Sequence, residues 1–183
     1  MNAGRTEKDK EQVVLNIRWM IRRDMPEILQ AEQLSFEYPW TEEDFHRCLR
    51  QRNAIGMVAE HGEKTVGFMI YELHKNKLHM LNFAIHPAWR RRGAATQMLA
   101  QLISKLDTQR RYRVTLELRK TNAGAKIFFE KQGFKEVRIL PAFYEKSGED
   151  AFLMEYRHPK AKCENEPGDD DAIPIFSPRP QGL

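Results

Sequence analysis

The sequence predicts an α/β (α+β) fold, in which helices cover both faces of a mixed, mostly antiparallel central sheet. Helical and β-rich stretches alternate along the chain in the order β-α-α-β-β-β-α-β-α-β-β. The β-rich runs 54–61 and 64–73 are separated only by Gly62 and Glu63, which is typical of a hairpin. Hydrophobic residues make up 41% of the 183 residues, enough to build the core of one domain.

The first part of the chain should form a strand and two helices. Residues 13–20 are β-rich and predict the strand. Asp24 is a suitable N-cap for a helix that runs to about Phe36. Thr41 precedes three acidic residues, a pattern that is typical of the start of a second helix, ending near Gln51. The two hairpin strands come next.

The second half of the chain continues the alternation. The expected strands cover residues 77–87, 113–120, 135–140 and 150–156, and the expected helices cover residues 93–110 and 122–132. The first of these helices carries an apolar stripe that includes Met98, Leu99 and Leu102. Asn122 is a suitable cap for the second helix, and Gly133 is a suitable residue to end it.

The composition argues against several classes of protein. A formal net charge of +4 suits either nucleic acid or a polyanionic small ligand. The sequence lacks the interleaved basic and aromatic residues of an RNA-binding surface, which argues against nucleic acid. The two cysteines are far apart and the six histidines form no metal-binding motif, so we expect a reducing cytoplasm and no metal. No apolar run approaches the ~20 residues of a membrane span, so no membrane partner is expected.

The two ends of the sequence differ from its middle. Residues 1–12 are polar and lack the apolar stretch of a secretory signal, so we expect a flexible segment. Residues 158–183 hold five of the nine prolines and a run of three aspartates, with a net charge of −2. This composition predicts a disordered tail. The folded domain is therefore expected over residues 13–157.

Three consecutive arginines, Arg90 to Arg92, stand where a helix is expected to begin. Positive charge is disfavoured at a helix N-terminus, because that end of the helix dipole is already positive. A bound anion would remove the conflict, since free backbone N–H groups at a helix start bind phosphate. Gly93 and the two alanines after it leave the backbone open to close approach. The stretch therefore predicts a site for phosphate or pyrophosphate, although a run of solvated arginines is the plain alternative.

These residues resemble the Arg/Gln-x-x-Gly-x-Gly/Ala signature of the GNAT superfamily of acetyl-coenzyme A-dependent N-acetyltransferases. The stretches LNFAIHPAWRRRGAATQMLAQLI, TLELRKTNAGAKIFFEKQGF and GEDAFLM follow the pattern of bacterial ribosomal-protein-alanine N-acetyltransferases, and YPWTEEDF is similar to their Phe-Pro-Trp-Ser segment. The resemblance covers about residues 14–157 and implies the acyl-CoA N-acyltransferase fold. It implies coenzyme-binding roles for Phe83, Ala84, Ile85, Arg90, Arg91, Arg92, Gly93, Ala94, Ala95, Thr96, Asn122 and Phe129.

Glu117 is the candidate general base. It alternates with Leu116 and Leu118 along a strand, so it faces the other side of the sheet. Cover on both faces would partly desolvate it, which suits a group that takes a proton through water from an amine. By spacing alone, an exposed pair with Arg119 is the alternative. The resemblance favours the base, because LELR is similar to the family's Leu-Glu-Val-Arg.

One position departs from the family pattern. Where these enzymes usually carry a tyrosine as general acid, this sequence has Phe129, which has no proton to donate. Tyr144 is a candidate substitute, or a residue that lines the acceptor slot. Tyr38 and Trp40 are candidates for the same slot, with a core position as the alternative.

The sequence therefore predicts an enzyme that transfers an acetyl group from acetyl-CoA to a protein N-terminal α-amine, such as that of a ribosomal protein. A small amine or a lysine is the alternative acceptor. A non-catalytic module that binds coenzyme A or RNA is the remaining alternative, and Phe129 and the positive net charge are the observations that favour it.

Overall fold

The computed structural model describes residues 13–161. The strands are β1 (Asn16–Trp19), β2 (Ala54–His61), β3 (Lys64–Leu73), β4 (Lys77–Ile85), β5 (Arg113–Arg119), β6 (Lys135–Tyr144) and β7 (Glu149–Arg157). The helices are α1 (Met25–Gln33), α2 (Glu42–Leu49), α3 (Ala94–Ile103) and α4 (Ala123–Lys131), with short 3-10 turns at Arg22–Asp24 and Pro87–Trp89.

The strands form one seven-stranded sheet in the order β1-β2-β3-β4-β5-β7-β6. Of the strand pairs in this sheet, only β4 and β5 run parallel, and α3 makes the crossover between them. The predicted mixed, mostly antiparallel sheet is confirmed.

Helices pack on both faces of the sheet, as predicted. On one face, here the α3 face, α3 and α4 bury a core that includes Met80, Leu116 and Met154. On the opposite face, here the α1 face, α1 and α2 pack over the β2–β4 half of the sheet around Phe45 and Phe68. Side chains alternate along a strand, so the polar residues of β5 lie on the α1 face.

Two element boundaries differ most from the sequence prediction. Helix α3 ends at Ile103, not near Arg110, because the Asp107 carboxylate accepts hydrogen bonds from the backbone N–H groups of Gln109 and Arg110. These bonds form a turn that replaces the helix. Strand β6 continues to Tyr144, past the expected end, because an edge strand tolerates a proline and an irregular register.

The predicted segments at the two ends lie largely outside the described residues. Residues 1–12, expected to be flexible, and residues 162–183 of the expected tail are not described. Within the tail, the Ala161 N–H donates to the His158 carbonyl just after β7. None of the helices in residues 13–161 is long and apolar enough to cross a membrane.

Glu32 fixes the segment between α1 and α2 to the centre of the sheet. Its carboxylate accepts hydrogen bonds from the Trp40 backbone N–H at 2.8 Å and from the Asn82 Nδ2 at 3.1 Å. The side chain is fully buried, and burial raises its pKa from the usual 4.5 to about 7.

This buried carboxyl predicts a pH-dependent stability. A raised pKa means that the stability contributed by protonated Glu32 is present below pH 4.5 and is lost as the pH rises towards 7. We expect Glu32→Gln to remove this loss, on the order of 3 kcal/mol. Its amide can bond to Asn82, whose Oδ1 has no partner among the described residues. Denaturant unfolding between pH 4.5 and 7 measures the difference, with the exposed Glu37→Gln as control. Parallel curves for wild type and Glu32→Gln would contradict the expectation.

Candidate active site

Strands β4 and β5 separate halfway along their length. They pair from Lys77 and Arg113 as far as Met80 and Leu116, and no further pairing between them follows in the described residues. Strand β4 then continues to Ile85 with β3 on its other side. The edge of β4 that faces β5 therefore offers backbone groups to a ligand over Phe83, Ala84 and Ile85, because an unpaired strand edge can bond an amide-bearing chain.

The arginine loop presents a row of free backbone donors at the start of α3. From Arg91 to Thr96, none of the backbone N–H groups donates a hydrogen bond within residues 13–161. Arg91 and Gly93 have φ angles of 62° and 82°, in the left-handed region. Successive amides in such a turn form a concavity that suits an anion, and the dipole of α3 adds positive potential. The structure places Ala94 and Ala95 in the first turn of the helix, as predicted.

The three arginines of this loop have different surroundings. The Arg90 guanidinium donates to the Ile85 carbonyl at 2.9 Å and to the Ser35 Oγ at 2.7 Å. Arg90 therefore ties the loop to the end of β4 and to the segment after α1, a role that its place in the signature does not predict. The Arg92 guanidinium lies 5.2 Å from the centre of the Trp89 ring. Arg91 is exposed to solvent.

The two remaining candidates for coenzyme binding belong to α4. The Asn122 Oδ1 accepts a hydrogen bond from the Ala125 N–H at 3.1 Å and so caps the helix, as predicted. Phe129 is buried on the α3 face, with its ring 6.4 Å from Phe83 and 5.2 Å from Phe134. The side chain at the position of the expected general acid therefore belongs to an aromatic cluster beside the gap in the sheet.

Glu117 lies one residue beyond the last β4–β5 pair, on the α1 face. It is 4% exposed, and its carboxylate lies 3.2 Å from the His79 Nε2. The His79 Nδ1 lies 2.9 Å from the Thr115 hydroxyl. A carboxylate only accepts hydrogen bonds, so the Nε2 carries the proton in neutral His79. His79 belongs to no motif in the sequence, and only the register of the parallel pair brings it next to Glu117.

Arg119 fills the α1 face at the C-terminal end of β5. Its guanidinium lies 4.1 Å from the centre of the Tyr144 ring and 5.5 Å from that of Tyr38. It also forms an ion pair with Glu149 at 2.7 Å. Burial and the nearby Glu117 carboxylate raise the pKa of Tyr144, so its phenol keeps its proton at neutral pH.

Of the two aromatic candidates near α2, one lies in the core. Trp40 is buried and packs edge-on against Phe45, with ring centres 5.2 Å apart. Trp40 therefore takes part in the α1-face core, which was the alternative given for it. Tyr38 is half-buried and stays beside Arg119.

A cavity of about 130 Å³ opens on the α1 face next to Glu117, and most of its lining residues are charged or polar. It runs between β4, β5, β7 and β6, and we name it the basic trough. Its charged lining consists of Lys77, Arg113, Arg138, Arg157, Glu117 and Glu155. Groups of His, Cys, Asp and Glu that could hold a metal ion are absent from residues 13–161.

Comparisons with known proteins agree with this geometry. The profile described as "Acetyltransferase (GNAT) family" matches residues 25–134. The [ribosomal protein bS18]-alanine N-acetyltransferase of Salmonella typhimurium is 29% identical over 133 residues, which cover 72% of this chain and 89% of that protein. An N-alpha-acetyltransferase of Sulfurisphaera tokodaii is 28% identical, with 84% of this chain and 98% of that protein covered.

The fold also matches a solved structure. The crystal structure of the ribosomal-protein-S18-alanine N-acetyltransferase from Escherichia coli superposes with a TM-score of 0.71. The match covers 85% of this chain and 99% of that chain, at 24% sequence identity. The likeness shows that the two chains share one fold.

Proposed function

Because the chain belongs to the acetyltransferase (GNAT) family, we propose that it moves an acetyl group from acetyl-CoA to the N-terminal α-amine of a protein. The family and its relatives make the chain an acetyl-CoA-dependent N-acetyltransferase. The main support for placing the catalytic site here is the position of Glu117. This buried carboxylate stands beside the point where β4 and β5 separate.

The arginine loop and the β4 edge support a path for the coenzyme. The six backbone N–H groups from Arg91 to Thr96, which donate no hydrogen bond to the described part of the chain, suit its pyrophosphate. The unpaired edge over Phe83–Ile85 suits the amide groups of its pantetheine arm. A fixed N–H group on this edge is also a suitable donor to the oxyanion that develops on the acetyl carbonyl.

Glu117 supplies the base for the transfer. An α-amine has a pKa of about 8, so most of it is protonated at neutral pH. Glu117 takes the proton through water, and the freed electron pair of the nitrogen attacks the acetyl carbonyl. The carbon–sulfur bond then breaks, the coenzyme leaves as thiolate, and the nitrogen releases its second proton to water, so that a neutral amide is formed.

The relatives support a protein N-terminus as the acceptor. The protein from Salmonella typhimurium is named for an alanine of ribosomal protein bS18, and that from Sulfurisphaera tokodaii is named an N-alpha-acetyltransferase. We propose an acceptor that begins with a small residue such as alanine, with ribosomal proteins among the candidates. A lysine or a small amine remains the alternative acceptor.

A thiol-release assay tests the acceptor. Purified protein and acetyl-CoA are mixed with peptides that have free N-termini, with the same peptides blocked at the N-terminus, with lysine-containing blocked peptides or with polyamines. We expect thiol release with the free peptides only. Release with blocked lysine peptides or polyamines would assign the alternative acceptors. Coenzyme binding without release to any amine would support a non-catalytic module.

The departure at Phe129 leads to a prediction for the leaving group. Thiols have a pKa of about 8–9, so a thiolate leaves readily near neutral pH. The raised pKa of Tyr144 makes its phenol a poor acid. We therefore expect Tyr144→Phe to keep the turnover number within about twofold and to change mainly the KM of the acceptor.

The reverse substitution supplies the control for this prediction. Phe129→Tyr should not raise the turnover number at saturating substrates, alone or combined with Tyr144→Phe. A large loss in Tyr144→Phe that Phe129→Tyr partly restores would show that the enzyme depends on a substitute acid.

A further inference from the structure

The segments at one end of the sheet carry a large excess of positive charge. Strands β1, β3 and β7 end there, whereas β2, β4, β5 and β6 begin there. These segments hold nine lysines and arginines against two aspartates. We name them the cationic surface, which consists of residues 20–24, 50–53, 74–76, 104–112, 132–134 and 158–161.

The opposite end of the sheet has no such excess beyond the arginine loop. The segments there hold five lysines and arginines against three glutamates, and three of the five cations are Arg90 to Arg92. They are residues 34–41, 62–63, 86–93, 120–122 and 145–148. The coenzyme therefore accounts for the charge at that end and not for the charge of the cationic surface.

The two aspartates of the cationic surface are already engaged. Asp24 is 2% exposed and bonds to the Arg18 guanidinium at 2.7 Å. Asp107 accepts from the backbone N–H groups of Gln109 and Arg110. Most of the cations, by contrast, face solvent. Arg22, Arg52 and Lys75 are exposed and form no ion pair within residues 13–161.

Hydrogen bonds join the segments into one surface. The Tyr112 N–H donates to the Asn76 carbonyl at 3.2 Å, and the Tyr112 carbonyl accepts from the His158 N–H at 2.8 Å. The Arg111 guanidinium donates to the His74 carbonyl at 2.8 Å. From β1 to β7 the surface crosses five strand spacings, about 24 Å. Cations spread over this width suit an extended polyanion rather than a single small anion.

An exposed aromatic ring lies among the cations. Trp19, the last residue of β1, is 55% exposed, and the Lys105 Nζ lies 4.7 Å from the centre of its ring. An exposed ring beside cations suits a nucleic-acid base, which stacks on the ring while its phosphates meet the cations. No single stretch of the sequence interleaves these residues, which is why the sequence alone argues against nucleic acid.

Helix dipoles explain only part of the charge. Arg50 and Lys105 follow the C-termini of α2 and α3, where cations are favoured. Arg22 and Arg23 instead precede the N-terminus of α1, where positive charge is disfavoured. A bound polyanion would remove this conflict.

We propose that the cationic surface binds single-stranded RNA, with its phosphates on the exposed arginines and lysines and a base stacked on Trp19. The choice of RNA over DNA rests on the proposed function, because ribosomal proteins are among the proposed acceptors and assemble with RNA.

Fluorescence anisotropy with a labelled 20-nucleotide RNA of mixed sequence tests the proposal on the full chain. We expect the triple variant Arg22→Gln, Arg52→Gln, Lys75→Gln to lower the affinity by on the order of 10- to 100-fold at 0.1 M salt. The plot of log affinity against log salt should become shallower by about 2, because about three phosphate contacts are lost.

A second triple variant is the matched control. It removes the same net charge from exposed lysines at the opposite end of the sheet and should leave the affinity for RNA unchanged. Its changes are Lys64→Gln, Lys120→Gln and Lys146→Gln. Equal losses in the two triple variants would show that only net charge matters and would overturn the proposal.

Stacking on Trp19 has its own test. Trp19→Ala should lower the affinity by about fivefold or more and leave the salt dependence unchanged. Ile21→Ala, at a neighbouring exposed apolar residue, should have little effect. Equal affinities for wild type and Trp19→Ala would overturn the stacked base.

Competition experiments identify what the surface binds. Saturating acetyl-CoA should leave RNA bound, because the arginine loop lies at the other end of the sheet; displacement would place the RNA on that loop and overturn the proposal. Binding to vesicles of phosphatidylserine and phosphatidylcholine, without binding to RNA, would assign the surface to a membrane instead. RNA binding only after the five acidic residues of 162–183 are neutralised would make that segment the occupant.

The proposed function is tested separately. The triple variant at the cationic surface should acetylate a short free peptide with the kcat/KM of wild type, because none of its changes touches the candidate active site. Wild-type protein that acetylates the peptide and binds no RNA at 0.1 M salt would overturn this inference and keep the acetyltransferase. RNA binding without acetylation of any N-terminus would overturn the proposed acceptor and keep the RNA surface.

Discussion

Replacing Glu117 with glutamine is expected to lower the turnover number for acetyl transfer by on the order of 10²–10⁴-fold, the usual contribution of a general base. Glutamine keeps the shape of the side chain and can still bond to His79, but it takes no proton. Binding of acetyl-CoA should be unchanged, because the proposed coenzyme contacts are backbone groups of β4 and the arginine loop.

The pH dependence distinguishes a base from a structural residue. As the pH rises above about 8, more of the amine is neutral in solution, so the deficit of Glu117→Gln should shrink. Glu136→Gln is the matched control, because Glu136 lies on β6 and pairs with Lys126 of α4, away from the trough. A Glu117→Gln enzyme that is nearly as active as wild type at neutral pH would show that the amine loses its proton without this side chain.

Replacing Gly93 with glutamate is expected to abolish measurable binding of acetyl-CoA. Gly93 has a φ of 82° and stands at the N-cap of α3, among the free amides. A side chain there costs about 1 kcal/mol or more in backbone strain and blocks close approach to the loop. A carboxylate would also repel the pyrophosphate. Isothermal calorimetry measures the loss, and the thermal unfolding of the variant checks that the fold persists.

Gly148→Glu is the control that shows whether backbone strain alone could cause the loss of acetyl-CoA binding expected for Gly93→Glu. Gly148 has a φ of +67° in the turn between β6 and β7, and a Cβ added there meets no atom within 4 Å in the described residues. The substitution introduces the same charge and a similar backbone strain in a turn outside the arginine loop. It should lower stability and leave the affinity for acetyl-CoA unchanged. Unchanged affinity in Gly93→Glu would remove the coenzyme assignment of the loop.

The sequence predicted the fold well where the signals are local. The hairpin strands β2 and β3 have the expected bounds, because two β-rich runs and the two-residue turn between them mark where each strand begins and ends. The capping box of Thr41 and Asp44 marks the start of α2 in the same way. The predicted end of α3 was wrong, because the Asp107 side chain competes for backbone N–H groups beyond Ile103. The apolar periodicity of the sequence does not show this competition.

The candidate site could be predicted less well from the sequence than the fold, because its geometry depends on pairings between residues that are distant in the sequence. His79 and Glu117 meet only through the register of the one parallel pair in the described sheet. The basic trough combines residues of four strands, and none of these residues forms a motif in the sequence. Arg90 belongs to the signature, but its contacts with Ile85 and Ser35 could not be predicted, because they form only when the loop is folded.

The separation of β4 from β5 also has a mechanical consequence. It divides the sheet into two half-sheets, β1–β4 and β5–β7–β6, which are joined by four residue pairs from Lys77–Arg113 to Met80–Leu116. The α3-face core spans this seam, because it contains residues of both halves. A ligand bound along the gap contacts both half-sheets, so its binding energy would also hold them together, and we expect bound coenzyme to raise the thermal stability of the whole sheet.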